Sequence, residues 1–523
     1  MTLAIVALAV ALRVAHVLAL RGSPWFDHLV VDPEYYDAWA RQIAAGDWLG
    51  ARPFYMDPLY PYALGALYRA WGRDLLVVRL LQVALSAGSC LLVARIGRRV
   101  GGNAVGWLAA LGFALYEPEI FYVAEIDKTC LSVFLTSATL ALALETSIAA
   151  RFGAGVALGL AALTRANFLV LAPCAVLAFL AGRPRPRAAA GAVLFAAGVG
   201  AALLPVAWRN HRVSGEWVLT TSQAGQNFYT GNNALNPYGA YGALPFVRGN
   251  PHFEEADFRA EAEARVGRPL AAREVSAFWF GEAFRHVRAE PWFAARAMLR
   301  KVALFWNDFE ISDNQDQYLL ERDSWVLRLP LLSFGWIAPL ALLGALAAVR
   351  TRPAVRLLVG FVVLYSTSVI AFFIFSRYRI QVVPALLPLA ALGVVEVTAR
   401  IRGRDWSRLA IGCAVVAVAA WFSFHTIGIF SRHDPIAVDM QLAHLGNIYR
   451  VAGEPDHAIA VLQDAVRRCP RCRMSLGELF DTYVATGRRS QGEAYFRTFA
   501  REHPEHPDGA GYVVRLREAP PDQ

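Results

Sequence analysis

Charge is scarce in this chain. Only 18% of its 523 residues are Asp, Glu, Lys or Arg, whereas soluble domains average about a quarter. With 56% hydrophobic residues and a mean hydropathy of +0.37, that deficit excludes an ordinary soluble globule. Cysteine is also sparse. Cys90, Cys130, Cys174 and Cys413 lie in apolar runs and read as packing residues. Cys469 and Cys472 form one CxxC with no following His and no second pair. This excludes haem attachment and a paired zinc site, and leaves a small disulfide in an oxidising compartment. No His/Asp/Glu cluster has metal-ligand spacing, so a divalent metal is not indicated. The net charge of +9 is dispersed over short loops rather than gathered on one domain, which argues against a nucleic-acid partner.

What the chain has instead is long apolar runs. Stretches near 1–20, 77–95, 103–122, 129–148, 188–208, 331–349, 355–375, 380–398 and 408–430 are nearly free of charge and about long enough to cross a bilayer as helices. Residues 152–181 are apolar but broken by Thr164-Arg165-Ala166-Asn167, as two short helices meeting at a polar tip would be. Ten or eleven crossings follow. The first run carries Arg13 and His16 and lacks a small-x-small cleavage site, so it reads as an uncleaved anchor. Its two charges either face the bundle or snorkel.

Arginines recur in alternate loops: Arg95, Arg98 and Arg99; Arg151; Arg183, Arg185 and Arg187; Arg350, Arg352 and Arg356; Arg400, Arg402, Arg404 and Arg408. The positive-inside rule makes those loops cytoplasmic, along with the N-terminus. Loops 21–76, 123–128, 209–330 and 376–379 then face outward, and so does the tail after span 408–430. In a bacterium this is an inner-membrane protein with a periplasmic or extracellular face.

Four parts follow: a membrane section 1–208 with an outer loop 21–76, an outer segment 209–330, returning spans 331–430, and a soluble tail 431–523. In the tail, Leu445, Gly446, Tyr449, Gly453, Ala458, Leu462, Ala465 and Pro470 have tetratricopeptide spacing. Leu479, Phe480, Tyr483, Gly487, Gly492, Phe496, Phe499 and Pro504 repeat it 34 residues on. Two repeats are too few to bury a core alone, so the tail is expected to pack on the membrane body, a second subunit or a protein partner. In the outer segment, 217–222 reads as a strand, 225–239 as turns, and 252–266 and 271–306 as helices lying in the membrane interface or packed over the bundle.

Three groups of residues suit chemistry. Asp32, Glu34 and Asp37 follow the first span. The plain alternative is a capped helix, with Pro33 at its first position, but capping needs one acid, not three. A second acidic loop holds Glu117, Glu119, Glu125 and Asp127, beside Lys128. Arg377-Tyr378-Arg379 lies on the outward side, where arginine is disfavoured, and a guanidinium pair suits phosphate. Its plain alternative is a membrane anchor. Arg165, Arg209 and Arg212 are weaker candidates, and Arg52 and Arg21 weaker still.

In these residues the chain resembles the GT-C superfamily of membrane glycosyltransferases, which includes protein O-mannosyltransferases and aminoarabinose transferases. The resemblance covers 1–430. It rests on Val31-Asp32-Pro33-Glu34-Tyr35-Tyr36, on Pro58-Leu59-Tyr60-Pro61 and on Gly159-Leu160-Ala161-Ala162-Leu163-Thr164-Arg165. Asn227-Phe228-Tyr229-Thr230-Gly231-Asn232-Asn233 and Ser376-Arg377-Tyr378-Arg379 complete it.

It implies an all-α polytopic fold, with a small α/β or irregular outer segment and helical hairpins at the C-terminus. The implied activity is transfer of a sugar from a polyprenyl-phosphate donor to a protein, lipid or envelope-glycan acceptor on the outer side, with inversion. The implied catalytic residues are Asp32, with Glu34 as a secondary candidate, and Glu125, ahead of Asp127 and Glu119; Asp37 reads as a solvated or helix-face residue. Arg377 and Arg379, with Lys128 and Arg165, would hold the departing phosphate. Tyr35, Tyr36, Tyr60 and Tyr378 would shape the sugar or lipid pocket, an interfacial aromatic belt being the plain alternative. Two other readings stay open: a transporter or flippase of lipid-linked glycans, and a non-catalytic scaffold presenting the repeats.

Overall fold

The structure is a computed structural model that describes residues 1–180, 185–242, 244–248, 250–425, 435–506 and 509–518. Arg183, the end of the last expected span and the start of the tail lie outside them. The described residues are helical throughout, joined by turns, with isolated bridges at Tyr116–Leu332 and Ala240–Ile374 and no strand.

Six helices are long and apolar enough to cross a membrane: 2–22, 75–101, 188–214, 353–370, 376–402 and 406–424. Five shorter apolar helices, Asn103–Leu115, Thr129–Ala143, Ile148–Ala162, Ala166–Leu177 and Phe334–Ala348, complete the bundle. The expected spans 103–122 and 129–148 are therefore shortened. Short or broken helices are tolerated at membrane depth where their polar ends are covered by protein. Closeness comes from small residues. Gly155 on Ile148–Ala162 and Gly198 on Arg185–Ser214 face each other so tightly that a Cβ on either would fall into the opposite backbone carbonyl.

The charges of the first span face the bundle, which decides between the two readings. Arg13 is fully buried and donates to Ser86 Oγ at 2.7 Å and to the carbonyls of Phe113 and Ala114, while His16 meets Ser324 Oγ at 2.7 Å.

Among its described residues the outer segment has helices and no strand, so no α/β character. The expected strand at 217–222 is irregular chain with bends, whose carbonyls at Val218 and Thr220 are taken by the Asn210 side chain instead of a neighbouring strand. The expected helix 271–306 is two, Ala272–Ala289 and Pro291–Trp306. Proline both starts the second and disfavours helical geometry at Glu290 before it.

The tail comprises Pro435–Val451, Pro455–Arg468, Met474–Ala485, Arg489–Glu502 and Gly509–Glu518. Leu476, Leu479, Tyr483 and Phe496 build its own core. Met440, Leu445 and Ile448 of its first helix join the membrane body's core instead. Of the three packing partners expected, the tail uses the membrane body. Cys469 and Cys472 are bridged.

Candidate active site

The first acidic cluster is built on a strained turn. Val31 has φ 57°, a left-handed conformation that costs a β-branched residue about 1–3 kcal/mol. It opens helix Val31–Ala44, which has no side-chain cap. Asp32 directs its carboxylate elsewhere. Arg377 Nη1 donates to Asp32 Oδ2 at 2.5 Å, and Arg377 Nε pairs with Asp313. The capping alternative is therefore set aside for Asp32. Its neighbours diverge. Glu34 meets His252 Nε2 at 2.7 Å on the half-exposed side of the helix. Asp37 is not solvated, as a helix-face residue would be. It is buried and accepts from Tyr68 Oη and Arg73 Nε, both at 2.8 Å, and from Arg41, fastening this helix to Leu59–Trp71.

The second acidic loop approaches through Asn314. Its side chain accepts from the Asp32 backbone N–H at 3.4 Å and donates to Glu125 Oε1 at 2.9 Å. Glu125 is buried, and burial beside Asp127 pushes its carboxyl well above the usual range. Asp127 accepts from the Thr129 N–H and Oγ1, a helix-starting role. Glu119 is buried beside Ser86. Lys128 is paired with Asp57, and burial lowers its pKa.

Arg165 sits at the break in the hairpin, in extended conformation between Ile148–Ala162 and the short turn Ala166–Val170. Thr164, hydrogen-bonded to Ser132 Oγ at 2.8 Å, fixes the break. The Arg165 guanidinium is 4.5 Å from the Tyr378 ring centre and 6% exposed, and its Nε and Nη2 have no hydrogen-bond partner.

A cavity of about 760 Å³ joins Asp32, Asp57, Lys128, Arg165, Asp313, Arg377 and Tyr378. Outer-segment residues, Glu254 and Phe246 among them, form a second wall, and tail residues form a third. Asp313 is pushed up to about 7 by burial, which outweighs Arg377, and Glu254 is likewise pushed up to about 7 by burial. Asp32 and Asp313 share Arg377, and Asp57 takes Lys128. Arg165 forms no ion pair among the described residues, so an anion is what the arrangement can accept.

No family model matches the sequence, and no curated relative matches it. Among solved structures, the chain is similar to ArnT from Cupriavidus metallidurans bound to undecaprenyl phosphate. The identity is 16% over 95% of this chain and 80% of that one, with a TM-score of 0.44. It is also similar to the apo oligosaccharyltransferase of Archaeoglobus fulgidus, with 15% identity, 84% and 57% coverage and a TM-score of 0.46. A third is the archaeal oligosaccharyltransferase AglB of the same organism, in complex with an inhibitory peptide and a dolichol-phosphate. There the identity is 14%, the coverage 85% and 58%, and the TM-score 0.43.

Several expected site residues stand apart from the cavity. Arg379 is one. Two residues along one helical turn are about 200° apart, so Arg377 and Arg379 on Ser376–Arg379 point in opposite directions. Arg379 binds Glu310 at 2.5 Å and the carbonyls of Asn307 and Phe309, over the Phe334 ring. Its charge is already matched, which corrects its assignment to a phosphate. Tyr60 is buried with its hydroxyl on Gln82 at 2.8 Å, and Tyr36 packs edge-on against it. Tyr35 packs on Trp39 and His252. Of the four tyrosines, Tyr378 lines the cavity. Arg209 is drawn to the carbonyls of Leu49 and Arg52 over the Phe54 ring, where it clamps the outer loop.

The sequence reading passes over Asp313 and Glu254. A signal for Asp313 exists: Ser312-Asp313-Asn314-Gln315-Asp316-Gln317 is a polar run between aromatic Trp306–Phe309 and Tyr318-Leu319-Leu320. Among the described residues, no group of three or more His, Cys, Asp or Glu is arranged to hold a metal ion.

Proposed function

We propose that this protein transfers a sugar from a polyprenyl-phosphate donor to a nucleophilic acceptor at this cavity. The observation that carries the reading is Arg165: a buried guanidinium, unpaired at two nitrogens, opening on the same cavity as Asp32. A lipid-phosphate sugar already has a good leaving group. Its site needs a cation for the departing phosphate more than a strong acid. The acceptor hydroxyl or amine attacks the anomeric carbon as that carbon's bond to the phosphate oxygen breaks. The bonding pair leaves with the oxygen to give lipid phosphate, which Arg165 holds, with Lys128 beside it. The acceptor proton passes to the Asp32 carboxylate, which Arg377 orients. Attack opposite the leaving group inverts the anomeric centre. Asp313, on the far side of Arg377, keeps that guanidinium matched when Asp32 takes up a proton. Glu34 and Glu125 act around Asp32 rather than in the cavity, Glu125 through Asn314.

We place the cavity on the outer face of the plasma membrane and the N-terminus inside. Support comes from helix Thr129–Ala143. Lys128 and the cavity lie at its start, and the basic cluster of Arg95 and Arg99 on Glu145 lies beyond its end. The acceptor is a protein, a lipid or an envelope glycan. The test is transfer of labelled sugar in membranes by Asp32→Asn protein; undiminished transfer removes Asp32 from catalysis.

A further inference from the structure

The bridge between Cys469 and Cys472 closes a turn that the fold already holds. The turn joins helices Pro455–Arg468 and Met474–Ala485. The Cys469 N–H donates to the Ala465 carbonyl and the Cys472 N–H to the Cys469 carbonyl, both at 3.0 Å. Just beyond, the buried Asp439 carboxylate accepts from the Met474 and Ser475 N–H groups at 3.3 and 3.2 Å, and Ser475 Oγ donates to the Asp439 carbonyl at 3.1 Å. A disulfide stabilises more the longer the loop it closes, and this one joins cysteines only three positions apart. As a staple it adds little. Both cysteines are half-buried, so a reagent in solution can reach them. The site also borders the cavity: Arg473 and Met474 line it, and Met474 packs against the core of the membrane body.

Charge makes the pair reactive. Arg467, Arg468, Arg471 and Arg473 flank it in sequence, and no acidic residue occurs between 465 and 477. Asp464, one turn back, takes both Arg467 and Arg468, at 3.3 and 2.8 Å. Guanidinium groups beside a thiol favour its thiolate. The two sulfurs are not equivalent. Cys472 stands between Arg471 and Arg473, whereas Cys469 caps the C-terminal end of Pro455–Arg468, where the helix dipole opposes negative charge. Cys472 is therefore the better leaving group. We propose that Cys469–Cys472 is a thiol–disulfide exchange site for a dithiol on the outer side of the membrane. One thiolate of the dithiol attacks Cys469 Sγ, the bond between the two cysteine sulfurs breaks, and its electron pair leaves with Cys472. The second thiolate then attacks its partner's sulfur in the mixed disulfide and releases Cys469. Two electrons pass to the protein, the dithiol becomes a disulfide, and the two protons it gives up end on the two cysteines. The inference rests on the outward placement of the tail and goes beyond the sugar-transfer reading, from which it is independent.

The test uses the full-length protein in lipid nanodiscs, with dithiothreitol and glutathione as the probes. Alkylation by iodoacetamide at about pH 6, where an ordinary thiol is protonated, is resolved by mass spectrometry, which separates the pair from Cys90, Cys130, Cys174 and Cys413. Dithiothreitol should open the bridge while the protein stays folded, and Cys472 should then alkylate at least tenfold faster than Cys469. Glutathione trapped by acid during reduction should sit on Cys469. The variant Arg467→Gln, Arg468→Gln, Arg471→Gln, Arg473→Gln should open at least tenfold more slowly, and the single exposed change Arg471→Gln should slow opening in the same direction. The double variant Cys469→Ser, Cys472→Ser should unfold at the wild-type temperature. A bridge that opens only on unfolding overturns the proposal. So do equal alkylation of the two cysteines, glutathione on Cys472, or undiminished opening in the arginine variants. A double variant that melts lower makes the bridge a staple and overturns it too. Alkylation is read without donor or acceptor, so unchanged transfer by Asp32→Asn protein sinks the sugar-transfer reading alone.

Discussion

Replacing Arg165 by methionine should move two quantities in opposite directions. The guanidinium is buried with Nε and Nη2 unpartnered among the described residues, and an unsatisfied buried polar group costs about 1–3 kcal/mol. Stacking on Tyr378 at 4.5 Å returns about 0.5–2 kcal/mol. Arg165→Met removes both and keeps an apolar stem of similar length, so the thermal midpoint without ligand should hold or rise. Binding should suffer instead. Charged hydrogen bonds to a phosphate contribute about 1.5–3 kcal/mol, or roughly 10- to 150-fold in affinity. The assay is thermal unfolding in nanodiscs with undecaprenyl phosphate near 100 times the wild-type Kd. Linkage then stabilises the wild type by about 2.7 kcal/mol and the variant by about 0.3–1.4 kcal/mol. Arg165→Lys, which keeps the charge and loses the planar fork, should fall between them. A variant that melts lower when empty and is stabilised as much as wild type would refute the phosphate role and make Arg165 a packing residue.

Asp32→Asn should lower sugar transfer by about 10²–10⁴-fold and change undecaprenyl phosphate affinity little, which separates a base from a binding residue. Asp313, pushed up to about 7 by burial, gives a pH signature. As pH falls through about 7 it takes a proton and leaves Arg377 to Asp32 alone, so initial transfer rates should fall with it, and Asp313→Asn should erase that limb. The stability effect has the opposite sign. A carboxyl whose folded pKa is raised favours the folded state when protonated, so stability should decline as pH rises from about 4 to 7 and level off above. Asp313→Asn should flatten that decline in a denaturant series. Arg379→Met strands Glu310 in the interior and should cost about 3–5 kcal/mol in unfolding experiments, yet leave undecaprenyl phosphate affinity unchanged at temperatures where the variant stays folded.

The sequence is most legible where one physical constraint acts alone. Lipid demands apolar length, so the long spans and the broken hairpin around Arg165 emerge from hydropathy. A carboxylate cluster in a chain poor in charge marks Asp32. What hydropathy could not supply is direction. Arg377 and Arg379 read as a matched pair because spacing carries no rotation, and one helical turn sends them to opposite sides. Asp37 reads as surface because three partners from three positions, Arg41, Tyr68 and Arg73, converge on it only in the folded chain. Residues 217–222 carry strand-like composition, but Asn210 reaches their carbonyls first. Asp313 and Glu254 come from a segment whose polar residues look like ordinary loop until the fold lays it over the membrane face.

Scarcity itself makes the placement of charge informative. In an apolar bundle each guanidinium must find acceptors, because lipid offers none. Arg13 takes Ser86 and the carbonyls of Phe113 and Ala114. Arg79 takes the carbonyls of Ala124 and Phe26. Arg379 takes Glu310 and two carbonyls more. Each of these three is held by at least two acceptors from elements that the fold brings together anyway, although Arg79 Nη1 and Arg379 Nε keep no partner, so each reads as a structural pin. Arg165 lies at comparable depth with only an aromatic ring against it, beside a strained Val31 that turns Asp32 toward the same space. Strain and an unmet charge both cost stability, and a fold retains them together only where something outside the chain completes the set. At Arg165 the group that completes the set is an anion.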